Sequence, residues 1–389
     1  MGAVSSFFLR YLQFVFLHCI GKTYDFFLYC GYLKYMVSNG WQVQYKLNHS
    51  TACIPTDRIC IFVLYQPNGI SKNTFKYLNA IRQQNFSIIA VSNCRVSDND
   101  LASLDKICCQ VILRDNIGRD FGAYKTGVLE IYRQNLPIKN LLIANDSVHA
   151  PLHDLSIMHE KMEAHDYDFW GVTDNFHQRY HIGSYYVFFN EKIVSSEKFK
   201  QFWLDFKDKN SRRHAIHKGE IALSSLLFKL GFHGGVFCST KDILELIYKL
   251  EIKELIRFLF RFSRTFSFEV KHEEFNQVIR DLASLKKNNC SFSLLIVREK
   301  IALLVTWCLE RTTQIHLAAI VFNNYFKLPL LKKDIVLRGV FDTGFLLKNI
   351  EITTDVCIEE ISSSYLAKGT ERSLSRASLQ RYLLQAGYI

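Results

Sequence analysis

The sequence predicts an α/β fold in which a mostly parallel central sheet is flanked by helices and followed by a helical C-terminal appendage. From residue 57 onward, short apolar runs rich in β-branched residues alternate with stretches of helical periodicity. Apolar runs that do not alternate with polar residues are typical of strands buried on both faces of a sheet. Strands that alternate with helices indicate βαβ units, whose strands run parallel. A chain of 389 residues is long enough for such a domain and a second unit.

The order of the predicted elements follows from this alternation. Strands are predicted at 58–65, 87–92, 110–113 and 140–144, with further strand-like runs at 168–172 and 184–189. Helices are predicted at 74–84, 100–107, 122–134, 199–206, 220–230, 242–263 and 294–308. Three regions result: an aromatic-rich N-terminal helical segment over 1–56, the sheet domain over 57–240 and a mainly helical region over 241–389.

The composition excludes a disordered or low-complexity chain, since 49% of the residues are hydrophobic and 22% are charged. The formal net charge of +11 favours an anionic partner, which is a nucleic acid, an anionic lipid or a phosphorylated substrate. The basic residues are spread along the chain and no nucleic-acid motif accompanies them, so we predict no nucleic-acid partner. The 11 cysteines lie mostly in apolar runs, which is typical of reduced thiols in a cytoplasmic protein.

The segment 5–36 is aromatic but lacks the pattern of a membrane span, because residues such as Arg10, Lys22 and Asp25 interrupt every apolar run. Two interpretations stay open. The segment lies on a membrane surface with its aromatic side chains in the interface, or it forms helices that pack on the protein body. With the Lys and Arg residues along 249–264, the first interpretation predicts a cytoplasmic protein held peripherally on the inner face of a bacterial plasma membrane.

Ligands of open parallel sheets bind beyond the carboxyl ends of the strands, where Tyr65, Ser92 and Asn93 end two of the predicted strands. The third strand leads into a stretch with two glycines and several cations before the next helix. Glycine lets backbone amides approach a ligand, a helix N-terminus favours an anion, and cationic side chains reach towards phosphate. The stretch is either a phosphate site or an ordinary turn, and its candidate ligands are Asn116, Gly118, Arg119, Asp120 and Lys125.

The fourth predicted strand ends in Asn145, Asp146 and Ser147. An aspartate in this position points into the ligand crevice, where it can hold Mg²⁺ or Mn²⁺ bridging a diphosphate, or a ribose hydroxyl. The structural alternative is a cap of a turn or helix, for which Asp and Ser are common.

Two further groups are candidates for the acceptor side and for acid–base chemistry. Trp170 offers an aromatic face on which a sugar can stack, and the other candidates for the acceptor groove are Asp174, His181 and Ser184. Glu220 begins a predicted helix, where a carboxylate is favoured by the helix dipole. If it projects into the crevice, it can deprotonate an attacking hydroxyl as a general base.

Taken in order, these segments resemble the rhamnan synthesis F family, a group of bacterial cell-wall and surface polysaccharide glycosyltransferases. The resemblance rests on RDNIGRDFGAYKTG at 114–127, NDSVHAPL at 145–152, DFWGVTD at 168–174 and HIGSYYVFF at 181–189. Gly219-Glu220-Ile221 and, more loosely, NNYFKLPLLKKDIVLRG at 323–339 extend it.

The resemblance implies a GT-A fold, which is Rossmann-like, and transfer of a sugar, typically rhamnose from a dTDP donor, to a glycan or lipid-linked acceptor. It implies that the stretch 116–125 borders the donor diphosphate and that Asp146, with a divalent cation, stands where such enzymes carry an Asp-x-Asp motif. Only one acid is present in this segment, which departs from that motif. Glu220 falls where inverting enzymes of this kind place the base. The alternative from a different class is a glycan-binding or scaffolding subunit of a polysaccharide assembly complex, without turnover.

Overall fold

The structure, a computed structural model, describes residues 2–40, 43–50, 55–176, 179–263, 272–288, 291–310, 313–338, 340–369 and 383–384. The strands within these residues are β1 (Tyr45–Ser50), β2 (Arg58–Leu64), β3 (Ser87–Ser92), β4 (Gln110–Arg114), β5 (Asn140–Asn145), β6 (Val148–His149), β7 (Phe169–Asn175), β8 (His181–Ile182), β9 (Tyr186–Phe189), β10 (Gly234–Cys238) and β11 (Leu331–Lys332).

Nine of these strands form one sheet, in the order β1-β4-β3-β2-β5-β9-β7-β10, with β8 paired to β7. The strands β4, β3, β2, β5, β7 and β10 run in one direction. The strand β9, between β5 and β7, and the edge strand β1 run in the opposite direction. The carboxyl ends of the central parallel strands therefore meet at one edge of the sheet.

Helices cover both faces of this sheet. In β2, Cys60 and Phe62 belong to one buried cluster, whereas Ile59 and Ile61 belong to the other. Burial on both faces explains why the central strands are continuously apolar. The helices are α1 (Gly2–Ser38), α2 (Lys72–Gln83), α3 (Asp98–Leu104), α4 (Arg119–Arg133), α5 (Leu155–Glu163), α6 (Glu191–Val194), α7 (Glu197–Asp205), α8 (Arg212–His214), α9 (Ile221–Lys229), α10 (Thr240–Lys249), α11 (Ile252–Ser263), α12 (His272–Asn288), α13 (Ser291–Leu309), α14 (Gln314–Leu317), α15 (Ala319–Phe326), α16 (Thr343–Asn349) and α17 (Ile358–Lys368).

The predicted α/β fold with a mostly parallel central sheet and flanking helices is confirmed. The sequence does not predict β10 or α12, and two further regions differ from their predictions. Residues 45–50, inside the segment expected to be helical, form the edge strand β1. The single helix expected at 242–263 divides into α10 and α11 at Leu250, whose backbone is extended and whose carbonyl accepts a hydrogen bond from Arg298 at 2.7 Å.

The C-terminal region returns to the sheet domain through β11, which pairs antiparallel with β6. The strand β6 follows directly after the end of β5. A buried apolar cluster then joins Leu152, which follows β6, to Ile320, Ile335, Leu346 and Tyr365. The C-terminal region is thereby fixed at the carboxyl edge of the sheet.

Helix α1 packs on the protein body along one face. Its Tyr32 and Met36 are buried with Ile117, and the Tyr35 hydroxyl donates a hydrogen bond to Asp115 at 2.8 Å. Among the described residues, no helix combines the length and the apolarity needed to cross a bilayer. The opposite face of α1 leaves large aromatic side chains mostly exposed, among them Phe16, Phe26 and Phe27.

Candidate active site at the carboxyl edge of the sheet

The carboxyl ends of β2 and β5 are joined through Asp146. Its Oδ2 accepts hydrogen bonds from the Tyr65 amide at 3.0 Å and from Gln66 Nε2 at 2.9 Å. Its own amide donates to the Val63 carbonyl at 3.1 Å. Both side-chain bonds use one carboxylate oxygen. No donor among the described residues is bonded to the other oxygen, Oδ1. The carboxylate lies at the edge where ligands of parallel sheets bind.

Asn145 connects this edge with the start of α4. Its Nδ2 donates to Asp120 Oδ2 at 3.1 Å, and its Oδ1 accepts from the amide and the hydroxyl of Ser147 at 3.1 and 2.5 Å. Burial, and then the nearby negative charge of Asp146, raise the pKa of the Asp120 carboxyl to about 6. A carboxyl group with a raised pKa at a strand-end crevice is typical of functional sites.

Glu220 ends a π-helical turn, Ala215–Glu220, directly before α9. Such turns are frequent at functional sites. One oxygen of Glu220, Oε1, accepts a hydrogen bond from the Ser184 amide at 2.9 Å and lies 4.0 Å from His181 Nε2. The Ser184 carbonyl accepts a hydrogen bond from the Tyr124 hydroxyl at 3.0 Å. The structure thus brings together Glu220, Ser184 and His181, three residues that the sequence singled out separately.

A lysine from the C-terminal region reaches the strand ends. The Lys332 Nζ donates to the Ser147 hydroxyl at 2.8 Å and lies 4.2 Å from the centroid of the Tyr185 ring. Burial lowers the pKa of Lys332, and nearby carboxylates, including Glu220 and Asp120, oppose that shift. Sequence reasoning did not select Lys332, although the segment 323–339 that carries it was part of the family resemblance.

Asp334 organises the residues that follow β11. It accepts hydrogen bonds from His316 Nε2 at 2.7 Å and from Arg338 Nε at 2.5 Å. Burial alone would raise the pKa of Asp334, but His316, Arg338 and Lys332 hold it well below its usual range. Burial and the charge of Arg338 lower the pKa of Arg212 to about 10, against the effect of Asp334 and Glu220. The charges of Arg212, Lys332 and Arg338 therefore act on the carboxylates of this crevice.

The loop before α4 is braced by Asn210. The Gly118 amide donates to Asn210 Oδ1 at 2.7 Å, and the Asn116 carbonyl accepts from Asn210 Nδ2 at 3.3 Å. The Arg119 Nε donates to the Asn210 carbonyl at 3.1 Å. Gly118 has a φ of +80°, and a Cβ atom there would lie 2.9 Å from Asp208. The glycine is therefore required for the close approach of these two segments, whereas the sequence suggested an approach to a ligand.

Three other residues predicted to bind the sugar donor make contacts within the protein instead. The Lys125 Nζ donates to the Phe206 carbonyl, which follows α7, at 2.7 Å. Ser92 is fully buried and its hydroxyl donates to a backbone carbonyl two residues further on, at 2.9 Å. The Asn93 Oδ1 accepts from the buried guanidinium of Arg114 at 3.0 Å. These contacts fix α4 and the end of β3.

Trp170 and Asp174, both in β7, make internal contacts as well. Trp170 is 1% exposed, and its ring stacks on Phe188 at a centroid distance of 5.5 Å. The ring is covered by protein, which differs from the sugar platform predicted for it. Asp174 accepts hydrogen bonds from the amide and the hydroxyl of Thr240 at 3.1 and 3.2 Å, at the start of α10. Burial raises the pKa of Asp174 to about 6, and the Thr240 hydrogen bonds oppose that shift.

Comparison with known proteins gives a match for the central part of the chain. The match is to rhamnan synthesis protein F, over residues 88–252. It confirms the resemblance expected from the sequence. An uncharacterized protein of Sinorhizobium fredii, y4gN, is 29% identical over 201 residues, which are 51% of this chain and 52% of that protein. The virulence protein VirA of Vibrio anguillarum is 26% identical over 245 residues, which are 58% of this chain and 74% of that protein. The chain thus spans about half the length of the first of these relatives.

The segment that matches rhamnan synthesis protein F contains only part of the crevice. It includes Asp120, Asp146 and Glu220, whereas it begins after β2 and ends before Lys332. The crevice therefore also includes residues that come before and after the matched segment in the sequence.

The described residues do not by themselves supply a complete Mg²⁺ or Mn²⁺ site around Asp146, so the divalent cation expected there stays a prediction. Among the described residues, no group of three His, Cys, Asp or Glu side chains is placed to hold a metal ion. Burial and the charge of Asp146 raise the pKa of Asp120, and the charge of Lys332 opposes that shift. Burial lowers the pKa of Lys333, and the charge of Asp146 opposes that shift. Hard divalent cations prefer a set of several oxygen ligands, so a cation at Asp146 would need further oxygens from a bound diphosphate or from water.

Proposed function

We propose that the chain is a glycosyltransferase of polysaccharide synthesis with a GT-A fold, which transfers a sugar from a nucleotide-sugar donor to a glycan or lipid-linked acceptor. The observation that carries the proposal is the crevice at the carboxyl edge of the sheet, where the Ser184 amide holds Glu220 and the Ser147 hydroxyl holds Lys332. The antiparallel β9, inserted in an otherwise parallel row, supports the GT-A part of the proposal. The family description supports dTDP-rhamnose as the first donor to test.

Glu220 acts as the general base in this proposal. Its Oε1 is held by the Ser184 amide, and its other oxygen takes the proton from an acceptor hydroxyl. The acceptor oxygen attacks the anomeric carbon while the bond from that carbon to the donor phosphate oxygen breaks, so the configuration inverts. The electron pair of the broken bond leaves with the nucleoside diphosphate, and fixed positive charge in the crevice stabilises the developing negative charge.

A glycan-binding or scaffolding subunit is the second candidate. It is favoured by the contacts of Asp146, because its Oδ2 binds Tyr65 and Gln66 at the end of β2 and so has a structural role. A subunit of this kind would bind glycan without turning over a nucleotide sugar. Donor-dependent transfer, or hydrolysis of a nucleotide sugar by the purified protein, rejects this candidate.

The donor proposal predicts that a nucleotide sugar raises the apparent melting temperature of the purified protein. A ligand that binds only the native state stabilises it by mass action, by about 2.7 kcal/mol at 100 times its Kd. The screen compares dTDP-rhamnose with UDP- and GDP-sugars, each in EDTA and in MnCl₂, and uses free rhamnose as the control. Stabilisation by a glycan alone, with no shift from any nucleotide sugar, would favour the non-catalytic subunit.

We also propose that α1 holds the protein on an anionic lipid surface, where a lipid-linked acceptor would be presented. The face of α1 opposite Tyr32 carries Phe16, Phe26 and Phe27, which are 59%, 61% and 67% exposed. Lys22 and Lys34 of the same helix are exposed as well. Aromatic side chains flanked by cations are typical of helices that lie in a membrane interface.

The basic stretch 249–264 gives less support to membrane binding. Residue 264 lies outside the described residues, and the apolar side of α11 is used inside the protein, with Leu255, Phe258, Leu259 and Phe262 buried. Arg257 is paired with Glu254 on the same helix. The proposal of a lipid contact therefore rests on α1.

The membrane proposal predicts that Phe26→Ser/Phe27→Ser weakens binding to vesicles that contain anionic lipid by at least about tenfold, because each buried phenylalanine contributes about 1.5–3 kcal/mol. Flotation with anionic and with neutral vesicles measures the effect. The matched control is Leu303→Ser, which alters a leucine on α13 that is 70% exposed. Equal flotation of the wild type and the double variant would contradict the proposal.

A further inference from the structure

Lys332 and Lys333 lie beside Ser147 at the strand ends, and the carboxylate that follows them, Asp334, is bound by His316 and Arg338. Lys332 is joined to the Ser147 hydroxyl at 2.8 Å, and the Lys333 amide donates to the Ser147 carbonyl at 2.9 Å. Both lysines are half-buried. Among the described residues, neither forms a contact ion pair with a carboxylate. A partly buried cation is costly unless an anion accompanies it.

The acids whose charges act on these lysines accept hydrogen bonds from other groups. Asp334 accepts from His316 and from Arg338. Asp146 Oδ2 accepts from the Tyr65 amide and from Gln66, and Asp120 accepts from Asn145. The positive charge of Lys332 is therefore held in place by a hydroxyl and an aromatic ring, which leaves its remaining donors for a ligand.

The charge of Lys332 acts on several carboxylates of the crevice. Its charge interacts with those of Asp334, Glu220 and Asp120. In the proposed transfer, the anomeric carbon has to lie near the base, and the diphosphate has to extend from that carbon towards the strand ends. A cation that Ser147 holds at the strand ends, and whose charge acts on Glu220 and Asp120, is suited to pair with the leaving diphosphate.

We propose that Lys332 is a catalytic residue that binds the diphosphate of the donor, with Lys333 beside it, and that transfer proceeds without a divalent cation. This inference rests on the proposed glycosyl transfer. As the bond between the anomeric carbon and the phosphate oxygen breaks, the electron pair moves to that oxygen, and the Lys332 ammonium stabilises it while keeping its own proton. The acceptor proton goes to Glu220.

The test measures binding of dTDP and UDP to the full chain in EDTA, together with transfer from the donor that the thermal screen selects. We expect the wild type to bind a nucleoside diphosphate in EDTA and to transfer at a rate that MnCl₂ does not change. We expect Lys332→Met, which keeps the apolar contact with Tyr185 but removes the charge, to bind roughly 10- to 100-fold more weakly. Lys332→Arg, which keeps the charge, should retain most of the binding.

The control is Lys241→Met on α10, whose lysine side chain is 85% exposed, and its affinity should equal that of the wild type. Wild-type binding and transfer that are lost in EDTA and restored by MnCl₂ would overturn the inference and leave the proposed function standing. An unchanged Kd in a folded Lys332→Met variant would also overturn it. Absence of nucleoside diphosphate binding and of transfer under both conditions would overturn the inference and the proposed function together. Because the EDTA arm uses the wild type, the inference can fail even if Lys332→Met does not fold.

Discussion

Replacing Glu220 by glutamine is expected to lower the rate of sugar transfer by about 10²- to 10⁴-fold, the usual contribution of a positioned general base. The amide oxygen of the introduced glutamine can still accept the hydrogen bond that the Ser184 amide donates to Glu220 Oε1 at 2.9 Å. The geometry of the π-helical turn is therefore kept, and what is lost is a carboxylate that can take a proton. We expect kcat to fall, while the Kd for the nucleotide sugar stays within a few-fold of the wild type.

Transfer rates and donor affinity are measured on the same preparations, with circular dichroism as the check on folding. The matched control is Glu160→Gln, which makes the same chemical change on an exposed residue of α5 and should leave both quantities unchanged. A folded Glu220→Gln variant with full activity would show that another group takes the proton, and the role proposed for Glu220 would be wrong.

Replacing Asp146 by alanine is expected to abolish measurable transfer and to leave a folded protein. Removal of the carboxylate frees the Tyr65 amide and Gln66 Nε2 from their hydrogen bonds at 3.0 and 2.9 Å. The connection between the ends of β2 and β5 is weakened. The free energy of unfolding falls by about 1–3 kcal/mol if the donors find no other partner. A shift of the strand ends then misplaces Asn145, Ser147 and the lysine that Ser147 holds.

Asp146→Asn separates the charge of this residue from its hydrogen bonds. The asparagine oxygen can accept from Tyr65 and Gln66, so the unfolding free energy measured with urea should return towards the wild-type value. The negative charge of Asp146 contributes to the raised pKa of Asp120, which is about 6. The pKa of Asp120 should therefore fall in Asp146→Asn, although burial, the larger cause, keeps it above the ordinary value. The control is Asp166→Ala, at an exposed position before β7. Wild-type transfer rates in Asp146→Ala would refute the role given to this carboxylate.

The central strands could be predicted from the sequence because burial on both faces makes each of them a continuous apolar run. The runs at 58–65, 87–92, 110–113 and 140–144 correspond to β2, β3, β4 and β5. The edge strand β1, with the sequence YKLNHS, has no such run and pairs on one side only, so its hydrogen bonds to β4 define it. The strand β10 contains Gly234 and Gly235, where a Cβ atom would come within 2.5 Å of the rings of Phe169 and Tyr167. Close packing against those rings explains the two glycines, and a single sequence does not reveal it.

The candidate site could be predicted only where it follows from strand order. Asn145, Asp146 and Ser147 were found because the carboxyl end of a central strand is a general ligand position. The contact of Glu220 with Ser184 and the contact of Lys332 with Ser147 join residues that lie 36 and 185 positions apart. No local pattern encodes such contacts. In the loop at 116–125, a local pattern points to a contact that the structure does not show. Its glycines and cations suggest a phosphate site, whereas its polar groups contact Asn210 and the end of α7.

The position of β2 has a consequence for the use of homology in defining domains of this protein. β2 forms hydrogen-bonded ladders with β3 on one side and with β5 on the other, although it lies before the first residue that matches rhamnan synthesis protein F. A fragment cut at 88–252 would have a gap in the middle of its sheet and two unpaired strand edges, which are templates for aggregation. The boundaries of sequence similarity and the boundaries of the folding unit are thus different, and expression fragments should begin before Arg58 and extend beyond Arg338.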